Sequence, residues 1–158
     1  MKTVQWKSPL GIMYLAASET GLAALAFAEN WAEVKARLPA LEKAHSPLLE
    51  RAVHELAEYF EGKRKQFSLP LDLHGTEFQR QAWSALLEIP FGKTTSYSEQ
   101  ARAMKRPSAA RAVGAANGRN PVCIVVPCHR VLGADGTLTG YAGGIRQKKA
   151  LLELEGIR

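Results

Sequence analysis

The chain has 158 residues, 46% of them hydrophobic, enough for one domain or two small subdomains with a real core. Its net charge of +6 is unevenly placed: residues 1–73 carry nine Lys or Arg and nine Asp or Glu, whereas residues 74–158 carry twelve and six. No apolar run approaches the ~20 residues of a membrane-spanning helix, and Met1-Lys2-Thr3-Val4-Gln5 leads into no secretory apolar segment.

The basic second part points to a polyanion partner, or to a basic surface kept for solubility. Two cysteines with four residues between them make a poor disulfide framework, so a reducing, cytoplasmic setting is expected.

The first part opens with three strand-like pieces, Thr3–Lys7, Ile12–Ser18 and Leu22–Ala28. Pro9-Leu10-Gly11 and Thr20-Gly21 punctuate them, which predicts an antiparallel meander. A helix follows over Trp31–Leu38 and stops before Pro39. The next begins at Ser46-Pro47, a cap followed by proline at the first helical position. Its Leu49, Val53, Leu56 and Phe60 recur at helical spacing, and Gly62 ends it. His45, His54 and His74 form no ligand pattern with either cysteine, so no metal site is expected.

The segment Phe67–Gly75 reads as a linker, and the chain divides at residue 73. The remainder, 74–158, is mostly helical. Thr76 to Gln79 forms a capping box, and Phe78, Ala82, Leu86 and Ile89 share one helix face. Pro90-Phe91-Gly92 breaks that helix. Ser96 to Glu99 is a second capping box for a short helix through Met104. Arg106-Pro107-Ser108 turns the chain into a third helix, Ala109 to about Ala116, ending at Asn117-Gly118.

The last two helices fit a helix-turn-helix, as many ordinary helical hairpins do. The second is unusual. Ala109, Ala110, Ala112, Gly114, Ala115 and Ala116 are small, and Arg111 is its one charge before the end. A helix reading the major groove needs several long polar side chains. A nearly bare helix with one arginine suits close approach to a backbone or narrow groove, or simply close packing.

Val122-Cys123-Ile124-Val125-Val126 reads as a core strand that Pro127 ends, delivering Cys128 between proline and His129-Arg130. Neighbouring positive charge is expected to favour the thiolate, the reactive form. Cys123 reads as a buried apolar residue. His129 needs an acidic partner, for which Glu153 and Glu155 on the last predicted helix are candidates. Asn120, before Pro121, is placed to hold the turn or orient the thiol. Gly140-Tyr141-Ala142-Gly143-Gly144 reads as a pocket wall or a flexible loop.

In combination, Phe78-Gln79-Arg80-Gln81, Pro107 with Ala109-Ala110-Arg111-Ala112-Val113-Gly114, Asn120-Pro121, Pro127-Cys128-His129-Arg130-Val131 and Tyr141-Ala142-Gly143-Gly144 resemble the O6-alkylguanine-DNA alkyltransferase family, the methylated-DNA–protein-cysteine methyltransferases. The resemblance covers Thr76 to Gly156. It implies an α+β protein: a small N-terminal antiparallel sheet with helices, in a supporting role, and a helical C-terminal domain with a helix-turn-helix. It implies direct-reversal repair of double-stranded DNA containing O6-alkylguanine, by a monomer, without cofactor. Some relatives hold zinc in the first half through cysteines that this chain lacks.

Carried over by position, Cys128 is the alkyl acceptor, and His129 activates it through a water with Glu155 completing the relay. Asn120 orients the active-site turn. Arg111 is the finger that fills the gap left by an extruded guanine, on a DNA-facing surface with Ser96, Ala110, Ala112 and Gly114. Tyr97 helps turn the nucleotide out and contacts the base. Tyr141 packs beside the base, with the Ala142 and Gly143 amides near its O6. The Cys128 and Val131 carbonyls accept from its amino group. Ala142 stands where some relatives carry serine, so the range of alkyl groups does not follow. Three rivals remain at this point: a non-catalytic lesion binder of related fold, a cysteine hydrolase, and a helix-turn-helix regulator.

Overall fold

A computed structural model describes residues 1–157 as two compact units, one over Met1–His74 and the other from Gly75 onward. The first unit is built on strands β1 (Lys2–Ser8), β2 (Gly11–Ala17) and β3 (Leu22–Phe27), which form the expected antiparallel meander. A two-residue strand, β4 (Glu42–Lys43), adds to β1 in parallel and gives the order β3-β2-β1-β4. Every residue of β3 is buried, as a continuous apolar run requires of a strand covered on both faces.

The two faces differ in side-chain size. Ala16, Ala24 and Ala26 make one face shallow, and the short helix α1 (Trp31–Lys35) sets Val34 against them. Trp31 stacks on Tyr14 beside this cluster. Helix α2 (Pro47–Phe60) crosses all three long strands and carries Leu49, Ala52, Leu56 and Tyr59 inward. Ser46 caps it, its hydroxyl accepting from the Leu49 N–H, as the sequence predicts. Helix α1 ends at Lys35, one turn earlier than predicted.

The expected linker is part of the sheet unit. Leu71 bridges to Leu22, the Leu22 N–H donates to the Pro70 carbonyl, and the Asp72 N–H donates to Leu22. Gly21 permits this approach, because a Cβ there would sit 2.7 Å from the Leu71 carbonyl carbon. Buried Glu55 on α2 fixes the preceding residues by accepting from the Ser68 N–H, the Ser68 hydroxyl and Arg51 Nε.

The second unit packs α3 (Glu77–Leu87), α4 (Tyr97–Ala103) and α5 (Ala110–Gly118) against one another. Thr76 and Gln79 complete the predicted capping box of α3. At α4 only the Ser96 half forms, since the Glu99 carboxylate accepts from the Thr95 hydroxyl instead. Buried polar side chains lock the three helices. Trp83 Nε1 donates to the Ala116 carbonyl. Gln100 and Asn117 exchange amide hydrogen bonds of 2.8 and 3.0 Å, and Gln100 also donates to Ala82.

Residues 122–126 do not form the predicted strand. They coil through tight turns, and the strand is β6 (Val131–Leu132), after the cysteine, paired in parallel with β5 (Thr95–Ser96). Apolar composition specified burial of 122–126 but not extension, because a short apolar run has no period that separates the two. The chain then passes through residues 133–144 to α6 (Ile145–Leu154), which starts after Gly144 at φ +105°. No helix among the described residues is long and apolar enough to cross a membrane.

Candidate active site

Cys128 opens a single 3-10 turn, Cys128–Arg130, immediately after a series of tight backbone turns. The Val125 N–H donates to the Cys123 carbonyl at 2.7 Å across Ile124, whose φ is +68°. A γ-turn with positive φ at its centre is the strained form, and a β-branched residue makes it costlier. The Cys128 N–H donates to the Val126 carbonyl across Pro127, at φ −82° and ψ 64°, the relaxed inverse γ-turn. Asn120 holds these turns together. Its carbonyl oxygen accepts from the Val122 N–H, and its amide donates both to the Val126 carbonyl at 2.8 Å and to Cys128 Sγ at 3.2 Å.

The 3-10 turn also places His129 and Arg130. Both are buried, and both reach Glu155, the residue that closes α6. His129 Nε2 lies 2.7 Å from Glu155 Oε2. Arg130 Nε donates to Oε1 at 2.8 Å and Nη2 to Oε2 at 3.1 Å. The Gly92 N–H adds a longer donor to Oε1 at 3.3 Å. Arg130 Nη1 donates to the Ile89 carbonyl, and its guanidinium lies over the Phe91 ring. Of the two carboxylates considered, Glu155 is the partner, whereas Glu153 is exposed on α6.

The electrostatics correct one expectation. The thiol of half-buried Cys128 is held above its ordinary value, mainly by desolvation, so sequence-adjacent positive charge does not produce a resting thiolate. Arg130 spends its charge on Glu155. The groups that act against the shift are the Asn120 amide, the Lys148 ammonium, the Cys128 backbone N–H and the Tyr141 hydroxyl. Desolvation likewise holds His129 below 6.5, with Glu155 opposing it. A neutral imidazole that donates from Nε2 to Glu155 leaves Nδ1 as its basic atom. The arrangement is a neutral thiol and a neutral base, with a buried carboxylate ready to support the imidazolium.

Lys148, fully buried on α6, was not evident from the sequence as part of the site. Its Nζ donates to the Val131 carbonyl at 2.7 Å and more weakly to the Thr139 carbonyl at 3.4 Å. Burial lowers its affinity for a proton. The Val131 carbonyl therefore has one acceptor position filled, and the Cys128 carbonyl likewise accepts from the Val131 N–H. Each keeps a second lone pair.

The remaining predicted residues gather on the outer surface of the helix pair. Tyr97, Ser98, Ala110, Arg111, Gly114 and Ala134 line a groove of about 350 Å³. Arg111 and Ala112 are exposed, and Gly114 lies against the Tyr97 ring. Ser96 has its hydroxyl committed to the cap of α4. Tyr97 Oη lies 2.8 Å from Thr139 Oγ1, joining this groove to the chain that follows Cys128. Gly143 is buried and Ala142 exposed in the turn before α6.

Among the described residues no three His, Cys, Asp or Glu side chains converge to hold a metal ion. His45, His54 and His74 lie on the surface beside Glu50, Glu58 and Asp72.

Comparison with known proteins places these features. Residues 2–73 match the family described as 6-O-methylguanine DNA methyltransferase, ribonuclease-like domain, and residues 77–157 match its DNA binding domain. A Mycobacterium tuberculosis protein named methylated-DNA–protein-cysteine methyltransferase is 60% identical over 104 residues, spanning 66% of this chain and 63% of that protein. A Methanosarcina acetivorans protein of the same name is 45% identical over 151 residues, covering 96% of both. The crystal structure of Mycobacterium tuberculosis OGT in complex with DNA superposes with a TM-score of 0.88 at 45% identity, over 98% of this chain and 92% of that one. Both halves match one family, and the archaeal alignment runs nearly end to end: this chain belongs to the 6-O-methylguanine DNA methyltransferase family.

Proposed function

We propose that this protein repairs DNA by moving the alkyl group of O6-alkylguanine to its own Cys128, once per molecule. The observation that carries this reading is the sulfur of Cys128 held 3.2 Å from the Asn120 amide, directly before a buried His129–Glu155 pair. The names of the relatives and the DNA-bound structure of a similar chain support it.

The alkylated oxygen lies inside a duplex, so the guanine leaves the stack, at a cost of about a few kcal/mol that a weakened base pair reduces. Arg111 enters the gap, Tyr97 guides the nucleotide, and phosphate contacts on the basic half offset part of the cost. In the pocket Tyr141 packs on the base. The second lone pairs of the Cys128 and Val131 carbonyls accept from the guanine amino group, and the Ala142 and Gly143 amides face O6.

His129 Nδ1 takes the thiol proton through a water, and Glu155 stabilises the resulting imidazolium. The thiolate attacks the alkyl carbon. The C–S bond forms as the C–O bond breaks, and guanine departs with the electron pair, to be reprotonated. The product is a thioether with no hydrolysable bond, which makes the reaction stoichiometric. The protein acts as a monomer in the cytoplasm and needs no cofactor.

The test is intact-protein and peptide mass after mixing with a duplex containing O6-methylguanine. One methyl on Cys128, and no more than one per molecule, is expected. Retained binding without mass gain would indicate a lesion binder. Loss of both would remove the assignment, and turnover of a small acyl substrate would then indicate a hydrolase.

A further inference from the structure

The stretch between β6 and α6 contains a contact that the proposed chemistry leaves unused. Its neck is closed from below by the Lys148 ammonium, which donates to the carbonyls of Val131 at its start and Thr139 near its end. Its tip is folded on itself, with the Gly133 N–H donating to the Thr137 carbonyl and Asp135 accepting from the Thr137 hydroxyl. Between neck and tip, the Thr139 hydroxyl faces outward onto the Tyr97 hydroxyl at 2.8 Å. Ala134 of the same stretch walls the groove that Tyr97 and Arg111 share.

A tyrosine at the first position of a helix has its ring placed by packing, here against Gly114, but its hydroxyl hydrogen rotates freely unless a partner fixes it. Thr139 is the hydrogen-bond partner this structure shows for that hydroxyl. With Thr139 donating, the Tyr97 hydrogen is left to point elsewhere as a donor. The Thr139 carbonyl in turn takes a weaker, 3.4 Å contact from the ammonium of fully buried Lys148.

We infer that Thr139, braced by Lys148, is a positioning residue that orients the Tyr97 hydroxyl for the extruded nucleotide. This rests on the proposed alkyl transfer. Thr139 touches neither the sulfur nor, by this reading, the base, so its removal slows the step that uses Tyr97 and leaves docking on DNA alone.

The experiment measures single-turnover methyl transfer at saturating O6-methylguanine duplex, and separately the affinity for the same duplex carrying unmodified guanine. Thr139→Val, nearly isosteric, is expected to slow transfer about three- to tenfold, the worth of one neutral hydrogen bond, with affinity for the unmodified duplex unchanged. Thr139→Ser is expected to restore the rate. Combining Thr139→Val with Tyr97→Phe is expected to be no slower than Tyr97→Phe alone, because the threonine acts only through that hydroxyl. A Thr139→Val rate equal to wild type overturns the inference. So does a loss of affinity by the same factor as rate, failure of Thr139→Ser to restore the rate, or multiplication of the two single effects. Absence of methyl uptake by the wild-type protein overturns the functional reading itself, which distinguishes the two failures.

Discussion

Glu155 is a buried carboxylate with donors from His129, both Nε and Nη2 of Arg130, and the Gly92 backbone. A carboxylate removed from water costs several kcal/mol unless its lone pairs are met, and here both oxygens are. Glu155→Gln keeps the size but leaves Arg130 as a buried cation without its counter-charge. That exchange is expected to lower unfolding free energy by about 3–5 kcal/mol, read from the urea midpoint. A variant as stable as wild type would show that the pair contributes nothing net. Cys128 gives a prediction of opposite character. Its thiol holds its proton more firmly folded than unfolded, so the unfolded chain ionises first as pH rises past 9.0. The folded chain then binds more protons, and stability falls with rising pH. In thermal scans the stability of wild type relative to Cys128→Ser should therefore fall above pH 9.0 from its value at about pH 7. A pH-independent difference would mean the thiol is not perturbed.

The segment between α5 and Cys128 works as one element although it contains no regular structure. Asn120 replaces the ladder that a strand would have provided, satisfying backbone groups at Val122 and Val126 while donating to the sulfur. The apolar side chains of 122–126 then serve as an anchor, all buried, beneath a turn that presents one atom. The strain at Ile124 is the cost of that geometry, and it is measurable. In most positions Gly is less stable than Ala because the unfolded chain gains entropy. At φ +68° the order reverses, so Ile124→Gly should be more stable than Ile124→Ala by about 1 kcal/mol. Both variants lose the same buried side chain apart from one methyl, so the comparison isolates the backbone. The usual order, Ala above Gly, would show that the turn relaxes once the side chain is gone.

At the scale of the whole molecule, what the sequence made legible was local chemistry with a short reach. Ser46, Thr76 and Ser96 announced helix starts because a cap is a contact over three residues. The meander was legible from turns at Gly11 and Gly21. The Asn120–Cys128–His129 cluster was legible because its members lie within nine positions. Of the contacts across longer separations, His129 to Glu155 came from the family resemblance, whereas Arg130 to Glu155, Lys148 to Val131 and Thr139 to Tyr97 are pairings that only packing decides. Net charge is the one global property the sequence states outright. All of the +6 lies beyond residue 73, and every charged residue there except Arg158 falls in the matched DNA binding domain. If that charge meets phosphates, binding releases counterions and the logarithm of affinity falls linearly with the logarithm of salt. Even about four phosphate contacts imply a loss of roughly a hundredfold between 50 and 200 mM salt. Transfer at saturating DNA, which in the proposed mechanism rests on Cys128 and its partners, should barely change over that range. Arg111 separates the two effects. If Arg111 enters the duplex as proposed, its replacement by Ala should cut the transfer rate while leaving the salt slope nearly intact, whereas loss of a phosphate contact would flatten the slope by about one unit. An Arg111→Ala variant with a flatter slope and normal transfer would place Arg111 on the backbone instead of in the stack.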